Sequence, residues 1–494
     1  MTLRILDTLS GERVPFEPAD PDNVLLYYCG LTVSDTPHLG HARSWIHVDI
    51  IHRWLEYLEY SVRHVENITD VNEKIVARVG EDTLGDSEAE VARHFTNELL
   101  ECMRSLNLKR AEVYPRVSEH IPEIRSLIET LMDKGYAYES AGSVYFDVTS
   151  FPEYGKLSNQ QLDELEAQAD SDNRRDKRHP ADFALWKANG VDSEAITEHR
   201  HADRQYAIDH PKGQSWDAPW GTGRPGWHIE CSAMAMAHLD TSIDIHIGGR
   251  DLVFPHHENE IAQSEAATGE QFVSYWLHTD LLQIADEKMS SSLQNFITVP
   301  EALEEFGSNV LRMFFLSATY NSSQTFSDAA MEEAFERWER LESTVERVSK
   351  AAMSPDATSK VESDLPTIIE DVQESFSASM NDDFNTRKAL VSLFDLANAA
   401  NRHLEEGPPY DYQGLHKVLK TFDRFGGQVL GFSFMCEPDG SAGITTELVD
   451  LLLEVRERER DAGNYDLADT IRAELESLGI QVQDTEDGVD YRFN

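Results

Sequence analysis

Four stretches of the chain carry residue types that do chemistry: YYCGLTVSDTPHLGH at 27–41, GRPGWHIECSAMAMAHL at 223–239, DIHIGGRDLVFPHHENEIAQSEA at 244–266 and DEKMSSSLQNFITV at 286–299. The first places Cys29 at the end of an apolar run and His38, Gly40 and His41 in a short turn. Gly40 there lets a ligand approach the backbone, a helix start offers free N–H groups, and imidazoles donate hydrogen bonds to a phosphate chain. Histidines at a helix start also serve as ordinary capping groups, so the turn alone leaves both readings open.

The second and third stretches hold Cys231, His256 and Glu260. On a helix, residues four apart project from one face, so His256 and Glu260 can chelate together. With Cys231 and Cys29 the donors become two sulfurs, a nitrogen and an oxygen, a set that suits zinc. A buried cysteine beside a solvated polar helix start is the competing reading. An HExxH hydrolase is excluded, because His257 and Glu258 are followed by Asn259, Glu260 and Ile261. The fourth stretch follows the apolar WLHTDLLQIA and brings Lys288 with several hydroxyls, Ser291 among them, as a loop reaching for a phosphate group does.

These residues need elements to hold them. Val24 to Tyr28 reads as a buried strand, Ile46, Ile50, Trp54, Leu55 and Leu58 recur at helical spacing, and SVRHVENITDV at 61–71 reads as a second strand. A βαβ start follows, with ligands expected at the carboxyl ends of the strands, where Cys29 lies. With 494 residues the chain exceeds what one core serves, and its four cysteines, at 29, 102, 231 and 436, are too scattered for a disulfide framework. No apolar run is long enough to cross a membrane and the N-terminus has no signal-peptide core, so a cytoplasmic protein without membrane partners is expected. The net charge of −47 is spread along the chain, which fits solubility in concentrated salt, a halophilic protein.

Together with NITDVNEKI and MNDDFNTRKAL, these stretches resemble the cysteinyl-tRNA synthetase family of class I aminoacyl-tRNA synthetases: PHLGH resembles the HIGH signature and KMSSS the KMSKS loop. The resemblance spans essentially the whole chain. It implies zinc held by Cys29, Cys231, His256 and Glu260 and bonded to the substrate thiolate, with Thr32, Thr69 and Trp227 lining the cysteine pocket. It implies ATP with Mg2+ at Gly40, Asp251, Lys288 and Ser291, with His38, His41 and Lys288 as catalytic residues. The implied partners are L-cysteine, ATP and tRNA(Cys), acting on a monomer.

The implied architecture is an α/β Rossmann-type catalytic domain over 1–115 and 217–275, interrupted by a connective insertion at 116–216. A KMSSS-bearing stem-contact region at 276–325, an all-α helical bundle at 326–436 and a small C-terminal α+β unit at 440–494 that contacts the anticodon follow. Three departures stand out. Ser291 occupies the place of the loop's second lysine, Ile247 that of an expected glycine, and the segment 187–216 is long. Two rivals remain, a ligase joining cysteine to an amino sugar and a non-catalytic zinc scaffold. The long helical end weighs against the first, and the joint presence of PHLGH and KMSSS against the second. Binding of RNA by so acidic a chain needs local basic relief, as at Arg337, Arg340 and Arg347, and salt that screens the remaining acids.

Overall fold

The computed structural model describes residues 2–434 except 82, 163–175, 189–190, 192, 202–203, 285–286, 289–295 and 362, and residues 452–493 except 454, 457, 459, 461–464, 478–479 and 486–487. Ser291 and Cys436 therefore lie outside the described residues. Two compact units result, 1–433 and 434–494.

At the centre of the first unit lies a parallel sheet of β1 (Asn23–Tyr28), β2 (Ser61–Glu66), β3 (Ile243–Gly249) and β4 (Val273–Thr279), in the order β4-β3-β1-β2. A parallel sheet is covered on both faces, so its strands read as near-continuous apolar runs; Val24, Leu26, Ile245, Ile247 and Leu277 are all fully buried. Between β1 and β2 runs α1 (Leu39–Tyr57), capped by His38. α2 (Trp227–His238) and α3 (Glu258–Thr268) pack on each other and on the helix Ile121–Asp133. The order reverses between β1 and β3, and ligands of such sheets bind at that point outside the strand ends.

The connective segment folds as an antiparallel sheet of Ala137–Ser140, Ser143–Phe146, Phe183–Ala188 and Gly223–Pro225. Its last strand lies beyond residue 216 and leads directly into α2. The long segment after Ala188 docks back: Ala207 N donates to Gly80 O at 2.8 Å, Gln214 N donates to Glu88 at 2.6 Å, and His201 stands 3.6 Å from Asp35.

After β4 come the short strands Leu282–Ile284 and Glu287–Lys288 and then α4 (Val299–Leu316), which carries a capping box from Thr298 and Glu301 and a kink at Gly307 with φ 74°. The helices Asp328–Ala352, Leu365–Asn381, Thr386–Glu405 and Tyr412–Thr421 form the bundle. The second unit contains the helix Tyr465–Ser477 and the hairpin Ile480–Thr485 with Gly488–Phe493.

His64 on β2 is 3% exposed and neither ring nitrogen has a hydrogen-bond partner among the described residues. Burial, with His52 beside it, pushes its pKa from 6.5 to about 3. The native state thus binds fewer protons than the unfolded chain below pH 6.5, so stability is fully present above 6.5 and is lost as the pH falls toward 3. His64→Phe is expected to flatten the acid limb of stability by one proton, about 1.4 kcal/mol per pH unit. Urea unfolding between pH 7.5 and 5 measures this; an unchanged slope would refute it.

Candidate active site and metal centre

Cys29 follows β1, and its N–H donates to Ile247 O on β3 at 3.0 Å, which fixes it at the strand end. Ile247 is itself fully buried in the sheet. The glycines that follow it sit where close approach demands them: a Cβ on Gly248 would lie 2.4 Å from the His257 ring, and one on Gly249 2.7 Å from Asp251. Cys231 comes from the second turn of α2. His256 comes from the irregular turn Val253–His257 that precedes α3, and Glu260 from the first turn of α3.

These side chains converge. The Cys29 and Cys231 sulfurs lie 3.8 Å apart, His256 Nε2 lies 3.1 Å from Glu260 Oε1, and the four ligand atoms all lie within 4.8 Å of one another. Two zinc–sulfur bonds of about 2.3 Å at a tetrahedral angle also put sulfurs about 3.8 Å apart, and a disulfide would need about 2.05 Å. His256 Nε2 and Glu260 Oε1 are buried and, among the described residues, have no well-aligned hydrogen bond, each facing the other at 3.1 Å. Burial alone pulls the His256 pKa down, but Cys231 and Glu260 outweigh it and push it up. Burial alone would raise that of Glu260, and His246 and His256 outweigh it and bring it down. The cluster thus sets a buried imidazole and carboxylate beside two thiols, and a divalent cation bound by the four would displace their protons. The donor set and its spacing fit zinc.

A supporting layer orients the donors. His228 Nδ1 lies 3.0 Å from His256 Nδ1, His246 Nε2 lies 3.0 Å from Glu260 Oε2, and Gln263 donates to His228 O at 2.5 Å. Metal ligands ordinarily have such partners. Asn67, which sequence reading passes over, sits beneath the site. Its Oδ1 accepts from Tyr27 OH at 3.0 Å and Gly30 N at 2.9 Å, its Nδ2 donates to Thr69 Oγ1 at 3.2 Å, and Cys231 Sγ stands 3.8 Å away. Gly30 is forced here, since a Cβ would lie 1.8 Å from Asn67 O. The only sequence signal is an amide at a strand end facing a glycine after another strand.

Around this cluster stand the other predicted pocket residues. Thr32 bridges Thr69 in parallel, and Val33 N donates to Thr69 O at 3.2 Å. Trp227 opens α2 and stacks on His256 with ring centroids 4.1 Å apart. Asp251 lies in the 3₁₀ turn Arg250–Leu252 at the end of β3.

The turn before α1 forms the other half of the site. His38 Nδ1 accepts from Gly40 N at 3.1 Å, and His41 Nδ1 accepts from His38 N at 3.2 Å. With both Nδ1 atoms accepting, the proton of each neutral ring sits on Nε2, which is then the ring's donor. The rings stack with centroids 3.6 Å apart. Burial, with His38 and Lys74 nearby, holds the His41 pKa well below the usual range. A Cβ on Gly40 would lie 2.9 Å from the His38 ring, so glycine lets that ring fold over the turn. Lys288 is placed by its backbone, paired with Gln283 in the short hairpin after β4. The segment that follows returns to the same turn: Leu39 N donates to Ile297 O at 3.0 Å and Val299 N donates to Pro37 O at 2.7 Å.

The basic residues expected to offset the acidic surface are largely engaged within the bundle. Arg337 pairs with Glu333, Arg340 donates to Asn398 Oδ1, and Arg347 donates to Asn401 Oδ1 at 2.9 Å. Among the described residues, no helix is long and apolar enough to cross a membrane.

A family model described as the class I (C) tRNA synthetase catalytic domain matches residues 15–336, and one described as the DALR domain matches residues 375–435. The chain is 60% identical over 495 residues to a cysteine–tRNA ligase of Haloarcula marismortui, covering 100% of both. It is 56% identical over 498 residues to one of Halobacterium salinarum, again over 100% of both. A Mycobacterium tuberculosis methionyl-tRNA synthetase in complex with methionyl-adenylate is similar in structure, with TM-score 0.56 and 14% identity over 90% of this chain and 96% of that one, a likeness of fold.

Proposed function

Since the chain belongs to the cysteine–tRNA ligases, ATP-dependent enzymes of the class I synthetases, we propose how this site does that work: it joins L-cysteine to ATP as cysteinyl-adenylate and passes the cysteinyl group to the 3′ end of tRNA(Cys). The observation that carries the reading is the convergence of Cys29, Cys231, His256 and Glu260 at the strand ends that also carry the His38–His41 turn. These four residues would hold zinc. When bound, zinc supplies a soft Lewis acid that prefers a thiolate to a hydroxyl and so separates cysteine from serine, where a merely shaped pocket would discriminate weakly.

In the first step a carboxylate oxygen of cysteine bonds to the α-phosphorus of ATP, and the bond to the bridging oxygen breaks as pyrophosphate leaves. The chain positions the reactants and stabilises charge; no nucleophilic side chain is required. His38 and His41 donate Nε2–H to the phosphate as its charge builds, Lys288 offsets the charge of the leaving pyrophosphate, and the backbone at Gly40 admits the phosphate chain. Magnesium bound with ATP would share that charge. Asp251, at the end of β3, holds the ribose, and Thr32, Thr69 and Trp227 wall the cysteine. With Ser291 in place of a second lysine, the cationic work of the loop rests on Lys288. In the second step the terminal ribose hydroxyl of the tRNA attacks the adenylate carbonyl and AMP leaves.

The division into a catalytic domain over 1–115 and 217–275, a connective insertion at 116–216, a stem-contact region at 276–325, a bundle at 326–436 and a C-terminal unit at 440–494 is part of this proposal; the strand Gly223–Pro225, from beyond residue 216, pairs with the insertion's sheet. We also propose that the enzyme works as a cytoplasmic monomer in concentrated salt, where the Debye length is about 3 Å and the acidic surface scarcely repels RNA. ATP–pyrophosphate exchange in molar salt tests the reading. Exchange is expected with cysteine and not with serine, and exchange with both, or with neither by a folded, zinc-loaded protein, would overturn it.

A further inference from the structure

Arg43 lies on α1, two residues beyond His41, and is fully buried. Its guanidinium leaves the helix for a remote part of the chain. Nη1 donates to Asp280 O, and Nη2 donates to Ser322 O, to Thr319 O at 3.2 Å and to Tyr320 O at 3.5 Å. Asp280 is the residue after β4, and residues 319–322 form the turn after α4. The two are tied to each other as well, since Asp280 N donates to Tyr320 O at 2.8 Å.

From this knot the chain leads straight to Lys288. The strand Gln324–Phe326 pairs in parallel with Leu282–Ile284, and Gln283 of that strand pairs with Lys288. The other end of the Lys288 segment docks on the same helix start, where His38 bridges Thr298 and Leu39 N donates to Ile297 O. Both ends of the segment are thus anchored on the start of α1, the far end on the turn at Pro37–Leu39 and the near end through Arg43.

The far side of the turn is held separately. Asp383, in the MNDDFNTRKAL stretch, accepts from Tyr320 OH at 2.8 Å, from Asn321 Nδ2 at 2.9 Å and from Leu6 N at 2.9 Å. Asp383 and Phe384 are consecutive non-glycine residues with φ of 62° and 51°. Left-handed backbone at such residues costs free energy and persists where surrounding contacts dictate it. A buried guanidinium is likewise expensive, and an apolar residue would fill the same space. Its planar fork of donors gives instead a fixed geometry between one helix and several carbonyls of an irregular turn.

We propose that Arg43 is a positioning residue for adenylate formation: through Asp280 and the 319–322 turn, which Asp383 supports from behind, it sets the Lys288 strand against the His38–His41 turn. This rests on the adenylate-forming reading above. A displacement near 1 Å between groups that share a transition state can cost about a hundredfold in rate. Arg43→Lys keeps the charge but not the fork, so it reaches fewer carbonyls.

The test is cysteine-dependent ATP–pyrophosphate exchange with the full chain in molar salt, well below the melting temperature. Arg43→Lys is expected to lower kcat by about tenfold or more, with KM for ATP and cysteine within about twofold, because only the transition state feels the misplacement. In a Lys288→Ala background the same change is expected to cost nothing further, since residues acting through one another are not additive. Tyr320→Phe removes only the hydroxyl held by Asp383 and is expected to give a smaller loss of the same kind. It serves as the test if Arg43→Lys does not fold. An unchanged kcat, a rise in KM alone, or losses that multiply in the Lys288→Ala background would overturn the proposal. Absence of exchange in the native protein would instead strike the functional reading.

Discussion

Cys231→Ser is expected to yield a folded protein that neither retains zinc nor activates cysteine. The substitution trades a soft thiolate donor for a hydroxyl that stays protonated at neutral pH, at a position 1% exposed. Loss of an outer-shell partner of a metal ligand already costs 10- to 100-fold in affinity, so loss of a ligand is expected to cost about a hundredfold at least. The fold should survive, because α2 is held by Ile229, Met234 and Ala235, all fully buried, independently of the sulfur. Zinc content by elemental analysis, read beside cysteine-dependent exchange, checks this. The two should fall together, while cysteine and serine become poor substrates of similar rank. A mutant that holds one zinc per chain and still prefers cysteine would show that the selecting metal does not lie at this cluster.

The second large effect concerns the fold that carries the site. Asp49 on α1 pairs with Arg312 on α4 at 2.8 Å and with Arg53 at 2.8 Å, and Asp49 and Arg312 are 4% and 0% exposed. Arg312 also donates to Leu430 O at 3.1 Å, Leu106 O at 2.9 Å and Asn107 O at 3.1 Å, and a Cβ on Gly431 would lie 2.5 Å from its guanidinium. One buried pair therefore ties α1, α4, the end of the Glu88–Ser105 helix and the end of the bundle. Asp49→Ala leaves that guanidinium buried without its carboxylate and is expected to destabilise by about 3–5 kcal/mol. Asp49→Leu combined with Arg312→Met removes both charges yet leaves three carbonyls unserved, so it should recover only part of the loss. Denaturant unfolding in a fixed salt concentration measures both. A cost below about 1 kcal/mol for Asp49→Ala would place the pair among those that contribute little, as exposed pairs do.

Much of the site is written in short sequence motifs because its chemistry demands particular atoms. The spacing of His256 and Glu260, the cysteines at 29 and 231 and the PHLGH turn name the donors before any fold is known, and the apolar strands with their helical interval name a βαβ start. What no periodicity reveals is which residue at one strand end faces which at another. Asn67 has no local pattern that sets it apart from a capping amide, yet contacts with Tyr27, Gly30 and Thr69 hold it beside the Cys231 sulfur. Arg43 reads as a polar residue on an amphipathic helix and is instead fully buried, serving carbonyls 237 to 279 residues away. The strand Gly223–Pro225 carries too few residues to announce itself and exists through its pairing with Phe183–Ala188.

By itself, then, the sequence determined the chemical inventory: donor types able to hold a metal, the turn proposed to meet phosphate, the apolar strands and the charge that suits concentrated salt. These are properties of single residues and short spacings, and they survive without knowledge of the fold. Only the tertiary structure decided that two sulfurs 202 residues apart stand at 3.8 Å, that both histidine rings of the turn accept through Nδ1, and that both ends of the Lys288 segment meet on one helix start. Such contacts arise from chain closure over long separations, where the geometry is set by packing of the whole sheet and its helices and by no local preference.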